Sequence, residues 1–265
     1  MGRHSTRIRD LWRSLRFSAL RRVPPLYFAW LCWEEARLRS AKNGGGERSL
    51  RQPTLQDREY ESLDSLRRYT IVDGSKIAMV TRRQERLCWL EPVFNSIDQL
   101  LCSRDRISVH EVGCGSTINL RLLRDKYGNR VTLSGSDVAP VQSSEFDVLR
   151  VSFDDPAYVP EHAFDIVFSN TALCLSKNPN VAFRNVLALS HDVVVLVEPI
   201  EHLAMQHQKM FLRRAGHSAS WDELAAADSS NAIVATGRCR LPFSIKHPAA
   251  FITLRKRDRL TKSER

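Results

Sequence analysis

The chain has 265 residues, 43% hydrophobic and 26% charged, which suits one large α/β domain plus an extension. Its formal charge of +10 is uneven: residues 1 to 58 hold thirteen Lys and Arg against five Asp and Glu, so the remainder is near neutral. No apolar run reaches the roughly 18 residues of a transmembrane helix. The scattered cysteines, with no C-x-x-C pair, argue against a metal or disulfide framework and for reduced thiols in a cytosol-like compartment.

The first 40 residues place Ile8, Leu11, Trp12, Leu15 and Ala19 on one helical face, with Arg9, Arg13 and Arg16 on the other. Pro24 and Pro25 stop this segment, and Leu26 to Trp33 (L-Y-F-A-W-L-C-W) follows as a short aromatic run. Several roles fit. The two segments could form a helix pair covering the main domain with a solvated basic face. They could meet an anionic membrane surface or deliver a hydrophobic substrate. They could touch RNA, or act as a mitochondrial-type transit peptide, Asp10 being the only acid before Glu34. A cytoplasmic protein, peripheral to a membrane or not, is expected, with the mitochondrion as the alternative.

Ala41 to Thr54, with Gly44, Gly45 and Gly46, reads as a linker. Leu55 to Tyr69 is expected to be helical. Lys76 to Cys102 shows a longer helical pattern broken at Glu91-Pro92, with Pro92 opening a new helix that ends at Cys102. Ile107 to Val112 reads as a buried strand. Gly113 and Gly115 form a turn, Ser116 and Thr117 cap a helix, and Gly128 closes it. Strands are then expected at Val131 to Asp137, Asp147 to Ser152, Phe164 to Asn170, Asp192 to Glu198, Ala232 to Leu241 and Ala249 to Lys256. Helices are expected at Val181 to Leu189 and Ile200 to Ala215. The alternation predicts a doubly wound, mostly parallel seven-stranded α/β sheet, whose ligand lies beyond the carboxyl ends of the strands. The expected division is a basic extension at 1–70, the main domain at 71–257 and a charged tail at 258–265.

Asp137 lies 22 positions after Gly115, at the end of the second strand, where an acid can accept from both hydroxyls of a ribose. A nicotinamide cofactor fits poorly, because Ile118 stands at the third glycine of G-x-G-x-x-G. Glu111, two residues before the first glycine, would oppose a pyrophosphate and suits a ligand carrying positive charge.

The ordered set E-V-G-C-G (Glu111 to Gly115), S-D-V (Ser136 to Val138), F-D-I-V-F-S-N (Phe164 to Asn170) and V-V-V-L-V-E-P (Val193 to Pro199) resembles the motifs of the class I S-adenosylmethionine-dependent methyltransferases. The resemblance implies a Rossmann-like fold and S-adenosylmethionine as cofactor, with no metal. Gly113, Cys114 and Gly115 would pass under the methionine part. Glu111 would fix the amino group, Asp137 the ribose, and Val138 would lie against the adenine. Asp154, or Asp155 beside it, would reach the adenine amino group, and Asn170 would lie beside the sulfonium. Two departures stand out: Thr117 replaces a glycine, and T-A-L-C-L follows Asn170 where many relatives carry histidines.

Methyl transfer is an in-line displacement, and a hydroxyl or amine acceptor also needs a base. His202, ahead of His207, is the candidate. No N-P-P-Y-like stretch follows Asn170, and no cysteine is set for attack on a pyrimidine; Cys114 and Cys174 read as packing thiols. The expected activity is methylation of a small-molecule, lipid or glycan-precursor acceptor. The alternatives are an RNA-directed methyltransferase using the basic extension, or a non-catalytic protein of this fold.

Overall fold

The computed structural model describes residues 60–72, 76–139, 145–155, 164–204, 208–209, 212, 220–243 and 247–260. The N-terminal segments, the linker and His207 lie outside them. The helix expected over Leu55 to Tyr69 is helical at Tyr60 and Glu61, tightens to a 3-10 turn at Ser62–Asp64 and then becomes strand β1, Arg67–Val72. β1 pairs antiparallel with β2, Lys76–Thr81, from Arg67 opposite Thr81 to Val72 opposite Lys76.

That hairpin corrects the reading of Lys76 to Cys102 as two helices. K-I-A-M-V-T is extended, and one continuous helix, α1, runs from Arg82 to Leu101 with Pro92 inside it. A complete capping box starts it: Gln84 N–H donates to Thr81 Oγ1 at 3.1 Å, and Thr81 N–H to Gln84 Oε1 at 2.8 Å. The proline costs about 3 kcal/mol in a helix interior. The buried stripe of Trp89, Leu90, Val93, Ile97 and Leu100 runs unbroken past it. Each of those side chains is worth roughly 1.5–3 kcal/mol on burial, so packing outweighs the proline.

The main sheet contains β3 (Ile107–Val112), β4 (Val131–Asp137), β5 (Asp147–Arg150), β6 (Phe164–Asn170), β7 (Ser190–Glu198), β8 (Asn231–Arg238) and β9 (Ala250–Lys256). Between them lie α2 (Ile118–Tyr127), α3 (Pro179–Leu189) and α4 (Trp221–Ala227). The strand order is β5-β4-β3-β6-β7-β9-β8. The first five are parallel, and β9 runs antiparallel to both neighbours. The chain winds outward from β3 to β5 and returns to β6 on the other side. The switch point therefore lies beyond the carboxyl ends of β3 and β6.

Alternation along the strands feeds two cores. Val109, Ile166, Phe168 and Val195 pack with the α1 and α2 residues Leu90, Val93, Leu120 and Leu123. Val112, Val167, Val194 and Leu196 pack on the other face with Phe183, Val186 and Trp221. The amino ends of the strands are cross-braced. Arg104 donates to Asp165 and Asp192 at 2.7 Å each, and Arg255 reaches the buried Asp192 at 3.0 Å.

The helix expected from Ile200 begins differently. Residues 200–204 form a turn closed by Ala204 N–H to Glu201 O at 3.0 Å, and Gln208, Lys209 and Leu212 are helical. Helix α4 was not anticipated, although W-D-E-L-A-A-A consists largely of good helix formers around the fully buried Trp221. Among the described residues, no helix is long and apolar enough to cross a membrane.

Candidate functional site

At the end of β3 the backbone takes positive φ at Gly113 (74°), Gly115 (48°) and Thr117 (56°). Gly113 and Cys114 N–H both donate to Ser136 O, at 2.7 and 3.0 Å, stitching the turn to β4. A Cβ on Gly113 would lie 2.1 Å from the Ala172 Cβ, so sterics and backbone both require glycine there. Cys114 fills the space that a side chain at Gly135 would occupy. Burial, with the charges of Glu111 and Asp137, pushes its thiol well up, which suits a packing residue. Thr117 stands at the N-cap of α2, but its hydroxyl makes no cap bond. The residue is buried and Oγ1 has no partner among the described residues. A β-branched residue in the left-handed region is strained.

Asp137 Oδ2 accepts from Gly115 N–H at 3.0 Å, and Oδ1 from Ala139 N–H at 2.9 Å. A carboxylate offers about four acceptor positions, so capacity remains for two hydroxyls. Val138 beside it is 56% exposed, unusual for an apolar side chain at a strand end.

Glu111 is buried. Oε1 accepts from Asn119 Nδ2 at 2.6 Å, while Oε2 has no partner among the described residues. Desolvation raises its pKa from 4.5 to about 8; the nearby Asp137 adds to the rise, whereas the Asn119 hydrogen bond and Arg86 oppose it. Arg86 Nη1 donates to Asn119 Oδ1 at 3.4 Å. The preceding residue, His110, faces the other core: its ring nitrogens meet Ser134 and Ser136 hydroxyls at 2.9 and 3.0 Å and its ring stacks on Phe164. Burial lowers it to about 4, so it is a neutral core residue.

Asn170 closes β6 in register with Val197. Its Oδ1 accepts from Thr171, and its buried Nδ2 has no partner among the described residues. Thr171 is the second non-glycine residue at positive φ, 60°. The loop beyond it hangs on Glu198, whose importance sequence reading missed. The fully buried Glu198 Oε1 accepts from Ser169 Oγ (2.6 Å) and from Ala172 and Leu173 N–H (3.1 Å each), while Oε2 accepts from Cys174 N–H (3.2 Å). The available signal was an acid closing an otherwise apolar strand.

Asp154 is employed in tying loops. Its oxygens accept from the Ser176 hydroxyl and from the N–H groups of Lys177 (3.0 Å) and Asn178 (3.3 Å), linking the segment after β5 to the start of α3. Asp155 is exposed. His202, half-exposed in the turn after β7, places Nδ1 2.8 Å from Asp222 Oδ2 in the first turn of α4. Burial and Glu198 push the Cys174 thiol far up. Among the described residues, no group of His, Cys, Asp and Glu could hold a metal ion.

Glu111, Gly113, Cys114, Gly115, Asp137, Val138 and Asn170 thus share the carboxyl edge at the switch point, and His202 follows β7 at that same edge. No protein-family model matches the chain, nor does any curated protein. Solved structures do. One, from Galdieria sulphuraria and assigned as a sarcosine dimethylglycine methyltransferase, aligns with TM-score 0.50 and 13% identity over 67% of this chain and 87% of that one. The plantazolicin methyltransferase BpumL, in complex with SAH and a pentazolic desmethylPZN analog, aligns at 0.47 and 14% identity over 65% and 84%. Magnesium protoporphyrin IX methyltransferase from Synechocystis PCC 6803, with bound SAH, aligns at 0.46 and 13% over 68% and 89%.

The first of these alignments defines the class: this chain has a Rossmann-like methyltransferase fold. More specifically, the fold is that of the class I S-adenosylmethionine-dependent methyltransferases, carried on seven strands of which six run the same way and β9 runs against them.

Proposed function

We propose that the chain is an S-adenosylmethionine-dependent methyltransferase acting on a small-molecule, lipid or glycan-precursor acceptor. The observation that carries this is Glu111 Oε2, a buried carboxylate oxygen beside the glycine turn with no partner among the described residues. Buried carboxylates are costly unless paired, and an ammonium supplies the missing partner. The residues present fit the cofactor: Glu111 for the amino group, Asp137 for the ribose hydroxyls, Val138 for the adenine face, and the side-chain-free Gly113 and Gly115 for close approach. Asp154 Oδ2, near the same edge, is the candidate for the adenine amino group.

The cofactor would supply a methyl group on a sulfonium. The chain's residues orient it and exclude water. Asn170, with a free buried N–H, stands at the acceptor side. His202 is proposed to take a proton from a hydroxyl or amine acceptor, with Asp222 at 2.8 Å holding the ring. The elevated Cys114 and Cys174 thiols argue against a thiolate attacking a base. S-N-T-A after β6 argues against exocyclic base amines as acceptors.

Calorimetric titration with S-adenosylhomocysteine tests the reading. Micromolar binding that weakens about 10- to 100-fold in Asp137→Ala supports it, the scale of hydrogen bonds to a charged group. Folded wild-type protein that does not bind refutes it.

A further inference from the structure

The two edges of the main sheet are unlike. β5 is four residues long and carries a charge at each end, Asp147 and Arg150. Short, charged edges resist pairing with other strands. β8, at the opposite edge, has eight residues, N-A-I-V-A-T-G-R, with no charge and no proline before Arg238. Among the described residues it pairs with β9 alone. Alternate N–H and C=O groups of an antiparallel edge strand point away from its neighbour, so β8 offers a row of open donors and acceptors.

A bulge between Ile233 and Ala235 interrupts the register with β9. Bulges usually turn an edge away from neighbours. This one leaves two adjacent branched apolar side chains exposed midway along the strand, Ile233 at 41% and Val234 at 38%, with Ala235 and Thr236 exposed beside them. The ends carry opposite charge. Asp228, held just before the strand by hydrogen bonds from Ser230 and Asn231, stands at the amino end, and the exposed Arg238 stands at the carboxyl end. An apolar middle between opposite charges is complementary to its own reverse. An antiparallel copy sets apolar against apolar and brings each Arg238 towards the partner's Asp228.

We propose that β8 pairs antiparallel with β8 of a second copy of this chain across a two-fold axis, joining two seven-stranded sheets into one. A two-fold contact uses the same strand on both copies, so it closes at the dimer and leaves only the charged β5 edges outermost. β8 stands three strands from β6, about 14 Å across the sheet, so the pairing leaves the switch-point site open. One strand edge per copy buries less than the roughly 1,200–2,000 Å² of a stable interface, so the dimer is weak, with Kd on the order of 10–100 µM. This pairing is independent of the cofactor reading.

Sedimentation equilibrium of the full chain from about 5 to 500 µM tests it, with Ile233→Lys and Arg238→Glu beside wild type. Wild type should pass from monomer to dimer across that range. Ile233→Lys, which places like charges near each other at the centre, should weaken the dimer at least about 10-fold. Arg238→Glu, which makes both end contacts repulsive, should weaken it about 3- to 30-fold, and the deficit should shrink as salt is raised. Both positions are exposed, so urea midpoints should stay at the wild-type value. Amide hydrogen exchange needs no variant: β8 amides should slow as the wild-type concentration rises. A chain that stays monomeric to about 500 µM overturns the proposal, as does association that continues past the dimer, or a dimer that both variants leave unchanged. Protection of β8 amides that is the same at every concentration also overturns it, and would mean that another segment of the same chain lies on this edge.

Discussion

Replacing Glu111 with Gln tests the electrostatic heart of the site without any ligand. The wild-type carboxyl has a folded-state pKa of about 8 against an ordinary 4.5. Below 4.5 both folded and unfolded chains carry the proton, and the group leaves stability unchanged. Between 4.5 and 8 the unfolded chain ionises while the folded one keeps its proton, so stability falls by about 1.4 kcal/mol per pH unit. Above 8 the loss levels off at about 5 kcal/mol, and at pH 7 it stands at about 3 kcal/mol. Gln cannot ionise, and its oxygen can still accept from Asn119. Urea denaturation of both proteins at pH 5, 6.5 and 8 should show Glu111→Gln gaining steadily on wild type, by about 4 kcal/mol across that range. Titrating groups that do not interact with Glu111 contribute alike to the two proteins, so the difference reports Glu111 together with its coupling to Asp137. On the proposed function, S-adenosylhomocysteine should reverse the ranking, its ammonium partnering the ionised wild-type carboxylate. A stability difference constant within about 0.5 kcal/mol from pH 5 to 8 would refute the assignment of Glu111 as a destabilising buried acid.

Gly113→Ala should destabilise by about 2–4 kcal/mol, combining overpacking with a left-handed backbone. Adding Ala172→Gly, which removes the atom that a Cβ at 113 would strike, should restore the steric part in the same urea assay. In turnover with an acceptor found by screening, Asp222→Asn and His202→Ala should each lower kcat about 100-fold, leave S-adenosylhomocysteine affinity unchanged, and combine without adding. Additive losses would mean the two do not act as a unit.

The strands that form the site were legible because parallel strands buried on both faces read as apolar runs cut off by turn residues. Ile107–Val112, Val131–Asp137 and Phe164–Asn170 are found at the predicted residues. Local patterning failed where tertiary packing decides. K-I-A-M-V-T is apolar enough to extend the helical pattern that follows it, and only its pairing with R-R-Y-T-I-V makes it a strand. Pro92 reads as a boundary, yet the packed stripe carries α1 through it. The expected cap at Thr117 fails because the tight turn puts that residue itself in the left-handed region. The glycines, Glu111 and Asp137 were recognisable from spacing along one βαβ unit. Arg86, Asp222 and Glu198 were not, because their partners lie 20 to 33 positions away, with no fixed spacing to mark them.

The manner in which Glu198 holds the loop after β6 bears on how this protein could change over evolutionary time. The carboxylate grips Ala172, Leu173 and Cys174 by their main-chain N–H groups, which every residue but proline possesses. The loop's course is therefore largely indifferent to the identity of its outward side chains, such as Leu175, which is 68% exposed. Variation there can alter what the protein presents to a passing molecule while the backbone stays where it is.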